Sequence, residues 1–378
     1  MKNAVLFTGS VLHGNVARMV DGLAQGFAAL GVRATLLDVG GPDLGAALRR
    51  AVEGGEADFF LSPTGLGLDL RAENNLFDRI GLPLVSLYLD PLVGYADQVL
   101  APIRRRVVTT VSDCDLDYWH VARAPAEIRH LPHAATPRSG QNWAARDIPL
   151  LFPATGCADP ERTRENWARH GAKVAAELNA IREAHLLAPY QPLTVAIAEV
   201  LGGRIEVANP YAIHSYFVTL EIYLRQRARW RLLEALQGLP VTVVGSGWDA
   251  FAARHSDHGF AFIGPRTAFE VQDMMARAKI VLNASTGFHG SHERVFDAAA
   301  AGAIAATTPT RWFRAHAPRE AVILLEVEDA AAVTDELRRL LDRDGEMVKI
   351  AGEGQAWQAR DHTWTHRARD ILAFAGAI

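Results

Sequence analysis

Short, continuously apolar segments alternate twice along this chain with helix-patterned stretches, and few folds accommodate that rhythm. The first run contains AVLF (4–7), VRATLLDV (32–39), ADFFLSP (57–63), LPLVSLYLD (82–90) and RVVTTVS (106–112). Between them, Asn15 to about Leu30 sets Val16, Val20, Leu23, Phe27 and Leu30 at helical spacing, and residues 44–53 form a second helical stretch. The second run contains IPLLFPATG (148–156), VTVVGSG (241–247), FAFIG (260–264), AKIVLN (278–283), AIAATT (303–308) and AVILLEV (321–327). A strand apolar on both faces must be covered on both faces, so each run predicts a parallel sheet between helical layers. The expected class is α/β, with two Rossmann-like parallel-sheet domains in series.

With 378 residues, each domain can bury its own core. The rhythm lapses over IRHLPHAATPRSGQNWAARD (128–147), which places the linker there and the domains at 1–147 and 148–362. Residues 160–236 read as a helical elaboration of the second domain, interrupted at Pro189, Pro192, Gly202, Gly203 and Pro210. Thr267 and Glu270 announce a helix with a capping box. Residues 363–378 read as a terminal helix.

The balance of charge limits the partners. With 22% charged residues and a net charge of −4, broad binding to nucleic acid or an anionic membrane is not expected. Cys114 and Cys157 stand apart and have neither disulfide nor metal spacing. The N-terminal MKNAVLFTGSVLHGN offers an apolar run too short for a signal-peptide core, and no stretch has transmembrane length. A cytoplasmic protein is the expectation.

One strand-to-helix junction carries unusual chemistry. NASTGFHGSHERVFDAAAAGA (283–303) leaves an apolar strand, passes Gly287 and Gly290, and enters an alanine-rich helix. With Ser291 as N-cap, the free first-turn N–H groups and the helix dipole would favour an anion. Arg294 adds fixed positive charge, and His289 and His292 add donors. Glu293 would compete with that anion, or else orient a histidine or accept sugar hydroxyls. The ordinary reading is a junction whose polar residues face water.

HGSHERVFDAAAAGA (289–303) resembles the arginine–Val–Phe–Glu/Asp–small–small–Ala–x–Gly pattern of the CgeB-like glycosyltransferases, a group with the GT-B fold. RWRLLEALQGLPVTVVGSGWD (229–249), MMARAKIVLNAS (274–285) and ARDHTWTHRARDIL (359–372) agree in the same order. GLPLVSLYLDP (81–91) and HLPHAA (130–135) agree more loosely. The resemblance implies two domains across a cleft, with a nucleotide-sugar donor held mainly by the second and the terminal helix 363–378 packing back on the first. Asn283, Ser285, His289, Gly290, Ser291, His292, Glu293 and Arg294 would surround its diphosphate end. Gly245, Gly247 and Trp248 would line the same cleft, although a tight turn packed by the tryptophan explains them equally.

The loop FTGSVLHGNV (7–16) follows the first strand, and Gly9, Ser10 and Asn15 would form the acceptor side there. His13 is the candidate base, since imidazole titrates near neutral pH. Asp90, before Pro91, is its rival, and each is also explained as an ordinary loop residue.

Three motifs are read structurally. Asp113 and Asp115 in DCDLD begin a helix, where the dipole favours carboxylates. His362 and His366 sit at i and i+4 as a possible metal pair without a third ligand. RQRARWR (225–231) spreads its charges around a helix facing solvent. The function expected is a metal-independent glycosyltransferase, with the nucleotide sugar as co-substrate and no separate cofactor. The acceptor would be a glycan, a protein or a small molecule. A nucleotide-sugar epimerase, or a non-catalytic binding or assembly protein, are the alternatives.

Overall fold

The computed structural model describes all residues except 10–13, 72–73, 139–141, 157, 257 and 286–288. Ser10 and His13 of the candidate acceptor loop, together with Cys157 and Gly287, lie outside the described residues.

Two six-stranded parallel sheets organise the described residues. The first comprises β1 (Asn3–Thr8), β2 (Arg33–Asp38), β3 (Phe59–Pro63), β4 (Leu84–Leu87), β5 (Arg106–Thr110) and β6 (Glu127–His130), in the order β2-β1-β3-β4-β5-β6. The second comprises β7 (Ile148–Pro153), β8 (Val241–Val244), β9 (Ala261–Phe262), β10 (Ala278–Asn283), β11 (Ile304–Thr307) and β12 (Val322–Leu324), in the order β12-β11-β10-β7-β8-β9. β3, β4 and β5 are buried at every residue, as continuous apolar runs require of central strands. The edge strand β6 alternates exposed and half-buried residues. Its EIRH sequence carries no apolar run, which is why the sequence pattern predicts a linker over most of it.

The chain divides into two compact units, Met1–Thr136 with Asp361–Ile378 and Pro137–Arg360. Residues 137–147, which the sequence reading grouped with the first sheet, thus go with the second. Arg146 shows why: its guanidinium is buried there and donates to the carbonyls of Ala278 (2.6 Å) and Ala301 (2.7 Å).

In the first unit the helix Trp364–Gly376 packs on the helix Asn15–Ala29. Gly22 and Gly26 lie one turn apart and leave a groove for Trp364. A Cβ on Gly22 would come 2.6 Å from Trp364 Nε1, and one on Gly26 would come 2.6 Å from the Trp364 carbonyl oxygen. Arg367, also buried, donates to the Pro132 carbonyl (2.6 Å), the His133 carbonyl (3.0 Å) and His362 Nδ1 (2.6 Å). Burial lowers its pKa to about 10.

The second unit carries the helical elaboration: Pro160–Glu165, Ala172–Leu187, Leu193–Leu201 and Pro210–Glu234. Pro160 and Pro210 open helices capped by the Asp159 and Asn209 side chains, because a first-turn proline gives up an N–H that has no helical partner. No helix among the described residues is long and apolar enough to cross a membrane.

Strand order reverses between β1 and β3 in the first sheet and between β7 and β10 in the second. Ligands of open α/β sheets bind beyond the carboxyl ends of strands at such reversals. The reversal in the second sheet is where the unusual junction begins.

Candidate donor site

Asn283, the last residue of β10, is 1% exposed and tied on three sides. Its Nδ2 donates to Thr307 Oγ1 (2.9 Å) and Ser285 Oγ (3.2 Å), which turns Oδ1 toward Arg294. Arg294 Nη1 donates to that oxygen at 2.6 Å. The Ser285 amide donates to Thr308 Oγ1 at 2.8 Å, so the ends of β10 and β11 form one hydrogen-bonded platform. A guanidinium held by a buried side chain is pre-oriented for a bidentate anion.

The helix that Arg294 enters spans Glu293–Ala300. Its N-cap is His292; Ser291, which the sequence reading proposed, lies one residue earlier and is fully buried. His292 Nδ1 is 2.9 Å from Glu293 Oε2 and 3.4 Å from the Arg294 amide nitrogen. In the longer contact the Arg294 amide donates to Nδ1, which makes the His292 side chain the cap of this helix. Glu293 thus lies against the capping histidine.

Burial pushes the Arg294 pKa down; Glu293 opposes that shift, Arg229 adds to it, and Asp297 opposes it. Arg229 comes from the long helix Pro210–Glu234, and its Nη1 donates to the Thr155 carbonyl beyond β7 (2.7 Å). Two guanidiniums thus act on the reversal between β7 and β10. The spacing of RQRARWR predicts only a solvated face and gives Arg229 no such place. Arg225 is instead gripped by Glu221 (3.0 and 2.7 Å), and Arg227 and Arg231 reach Glu328. Spacing could not reveal this, because Thr155 and Glu328 are remote in sequence.

Beyond β8, Gly245 holds φ +140°, and a Cβ there would run into the Ala154 carbonyl. The Gly156 amide donates to the Ser246 carbonyl at 2.6 Å, which brings the two loops into backbone contact. Trp248 is 3% exposed, donates from Nε1 to the Ala154 carbonyl (2.9 Å) and packs against Phe152 and Phe251. Gly245 and Trp248 shape the edge, and Trp248 presents almost no surface to a ligand. Gly247, at φ +83°, completes the same turn.

Residues 225–373 match the family model described as glycosyl transferase-like. An alpha-glucosyltransferase, solved with UDP and a 13-mer DNA containing a central A:G mismatch, aligns over 100% of both chains at 11% identity and a TM-score of 0.57. Sucrose-phosphate synthase from Thermosynechococcus elongatus aligns over 99% of this chain and 98% of its own, at 12% identity and a TM-score of 0.55. Anabaena HepE, solved with UDP-glucose, aligns over 100% of both chains at 10% identity and a TM-score of 0.52. This chain has the GT-B glycosyltransferase fold. No curated protein matches its sequence.

The glycosyl transferase-like segment contains β8 to β12, and with them every candidate donor residue from Gly245 to Arg294. On the first GT-B unit, Gly9 and Asn15 flank the carboxyl end of β1, where Asn15 Oδ1 accepts from Arg18 (2.9 and 3.2 Å). Asp90 follows β4 and accepts from the Tyr95 hydroxyl at 3.3 Å. Gly9 and Asp90 therefore follow the carboxyl ends of two parallel strands, β1 and β4, with β3 between them.

The motifs read structurally resolve in detail. No three His, Cys, Asp or Glu side chains among the described residues gather as a metal site. His362 and His366 do not share a helical face, because the helix Asp344–Asp361 ends before His362 and the next begins at Trp364. His366 closes the capping box of that second helix, with Nδ1 at 2.7 Å from Thr363 Oγ1.

Asp115 is buried inside the first unit, where Thr110 Oγ1 (2.6 Å) and the Leu92 amide (3.2 Å) donate to it. Burial raises its pKa from 3.8 to about 6 despite those two bonds, and Asp113 adds to the rise. A raised folded-state pKa means the contribution to stability is complete below 3.8 and is lost as pH climbs through about 6. Asp115→Asn keeps an acceptor without the charge. It should be more stable than the parent at pH 7.5 by on the order of 2 kcal/mol, with a flatter profile between pH 4 and 6. Urea midpoints across that range check this; an unchanged slope would remove the carboxyl from the account.

Proposed function

We propose that this chain transfers a sugar from a nucleotide-diphosphate sugar to an acceptor hydroxyl, with the second unit holding the donor. The observation that carries the reading is Arg294, desolvated, fixed by Asn283 and influenced by Arg229 at a helix start. As the glycosidic bond breaks, negative charge grows on the departing diphosphate. Pre-oriented guanidiniums and first-turn amides stabilise that charge more than they stabilise the intact donor, which is what lowers the barrier. The UDP and UDP-glucose in two solved proteins of the same fold make uridine nucleotides the first donors to try.

The arginine–Val–Phe–Asp run at 294–297 supports a CgeB-like glycosyltransferase within the wider group. The first unit is assigned the acceptor side, with His13 or Asp90 taking the acceptor proton. A cytoplasmic location belongs to the same reading.

Because two guanidiniums supply the positive charge, transfer is expected to proceed without a divalent cation. The experiment is donor turnover by demetallated protein in excess chelator, assayed by nucleoside diphosphate release over a panel of nucleotide sugars. Undiminished turnover is the expected result. Complete loss, restored by magnesium or manganese, would overturn metal independence and return Asp113 and Asp115 to the reaction.

A further inference from the structure

The helical elaboration of the second unit meets the donor loop at a pair of imidazoles. His185, near the end of the helix Ala172–Leu187, has its ring centroid 6.1 Å from that of His289. Tyr190 stands 6.3 Å from the same His289 ring and is covered by the Arg314 guanidinium, 4.5 Å from the tyrosine centroid. His289 is itself held firmly, since its carbonyl accepts from the Trp312 amide (3.1 Å) and the next carbonyl, of Gly290, accepts from Thr310 Oγ1 (3.0 Å). Its φ of +58° lies in the left-handed region, which costs a residue with a Cβ. Strain of this kind concentrates at ligand sites.

His185 is 4% exposed, and its Nδ1 has no hydrogen-bond partner among the described residues. A buried polar nitrogen without a partner is costly and rare in a finished core. Burial, assisted by the charge of Arg227, lowers the His185 pKa to about 4, so the ring is neutral at pH 7. A neutral imidazole offers one donor and one acceptor, which complements a hydroxyl group and suits a phosphate poorly. Phosphate has a better partner in the guanidinium of Arg294. His185 and Tyr190 both precede residue 225 and lie in the helical elaboration, outside the glycosyl transferase-like segment.

We infer that His185 binds a hydroxyl of the donor's sugar, which makes the helical elaboration the element that selects the transferred sugar. This rests on the donor-site reading above, and the test separates the two. Wild type, His185→Phe and His185→Gln are titrated calorimetrically with UDP, GDP and dTDP, and with UDP-glucose, GDP-mannose and dTDP-glucose. Phenylalanine keeps the ring against His289 and Tyr190 but removes both nitrogens, whereas glutamine keeps a donor and an acceptor.

The bare diphosphate should bind all three proteins alike. The matching nucleotide sugar should bind His185→Phe about tenfold more weakly, with part of the loss recovered in His185→Gln. Equal loss for diphosphate and nucleotide sugar would show a merely structural role, and no loss for either would show that His185 does not reach the donor. Both results overturn the inference while leaving the donor site intact. If the folded wild type binds none of the six compounds, the donor-site reading falls and the inference with it. Should His185→Phe fail to fold, His185→Gln alone decides: unchanged discrimination between the diphosphate and its sugar, together with unchanged turnover of competing sugars, overturns the inference.

Discussion

Trp364→Ala is expected to destabilise the first unit by about 3–5 kcal/mol, the range for deleting a buried aromatic side chain. Trp364 is 4% exposed and its Nε1 has no hydrogen-bond partner among the described residues, so its contribution is packing. The groove at Gly22 and Gly26 is lined by helix backbone, which cannot collapse into the space the indole would leave. Against a domain stability of roughly 5–15 kcal/mol, that loss would expose much of the first unit to local unfolding. Amide hydrogen exchange should therefore accelerate in β1–β6 and remain unchanged in β7–β12. Equal acceleration in both sheets, or none in either, would show that the terminal helix does not anchor the first unit.

Arg294→Ala is expected to lower kcat/KM for the nucleotide sugar by about ten- to hundredfold, the loss of a charge-assisted contact worth roughly 1.5–3 kcal/mol. Asn283→Ala should cost less, because the guanidinium remains and loses only its orientation. The double variant should fall short of the sum, since Asn283 is assigned its effect through Arg294. Strict additivity would mean that Asn283 contributes separately, through the Thr307 and Ser285 hydroxyls it holds. Steady-state kinetics of the four proteins, each confirmed folded by its melting transition, supplies the comparison.

What the sequence disclosed was mostly what neighbouring residues decide among themselves. Continuous apolar runs marked β3, β4, β5, β10 and β11 because central parallel strands are buried on both faces. Thr267 and Glu270 formed the capping box that their spacing foretold. The edge strand β6 escaped notice because exposure at an edge removes the apolar signal. Features that depend on distant partners were equally hidden. Arg229 acquires its place from Thr155, Arg367 from Pro132 and His133, and Arg146 from Ala278 and Ala301. At the donor junction, residue types and the strand-to-helix turn were legible, whereas the cap moved from Ser291 to His292. That one-residue shift turns on backbone angles, and serine is the more common cap.

The central claim is that the reversal edge of the second sheet reads a diphosphate through Arg294. Calorimetric titration of wild type and Arg294→Ala, each with the best-binding nucleoside diphosphate and with the corresponding nucleoside, tests it most directly. The account predicts that wild type prefers the diphosphate, and that Arg294→Ala loses affinity for the diphosphate while binding the nucleoside as before. Equal loss for both ligands, or no loss for either, would contradict it.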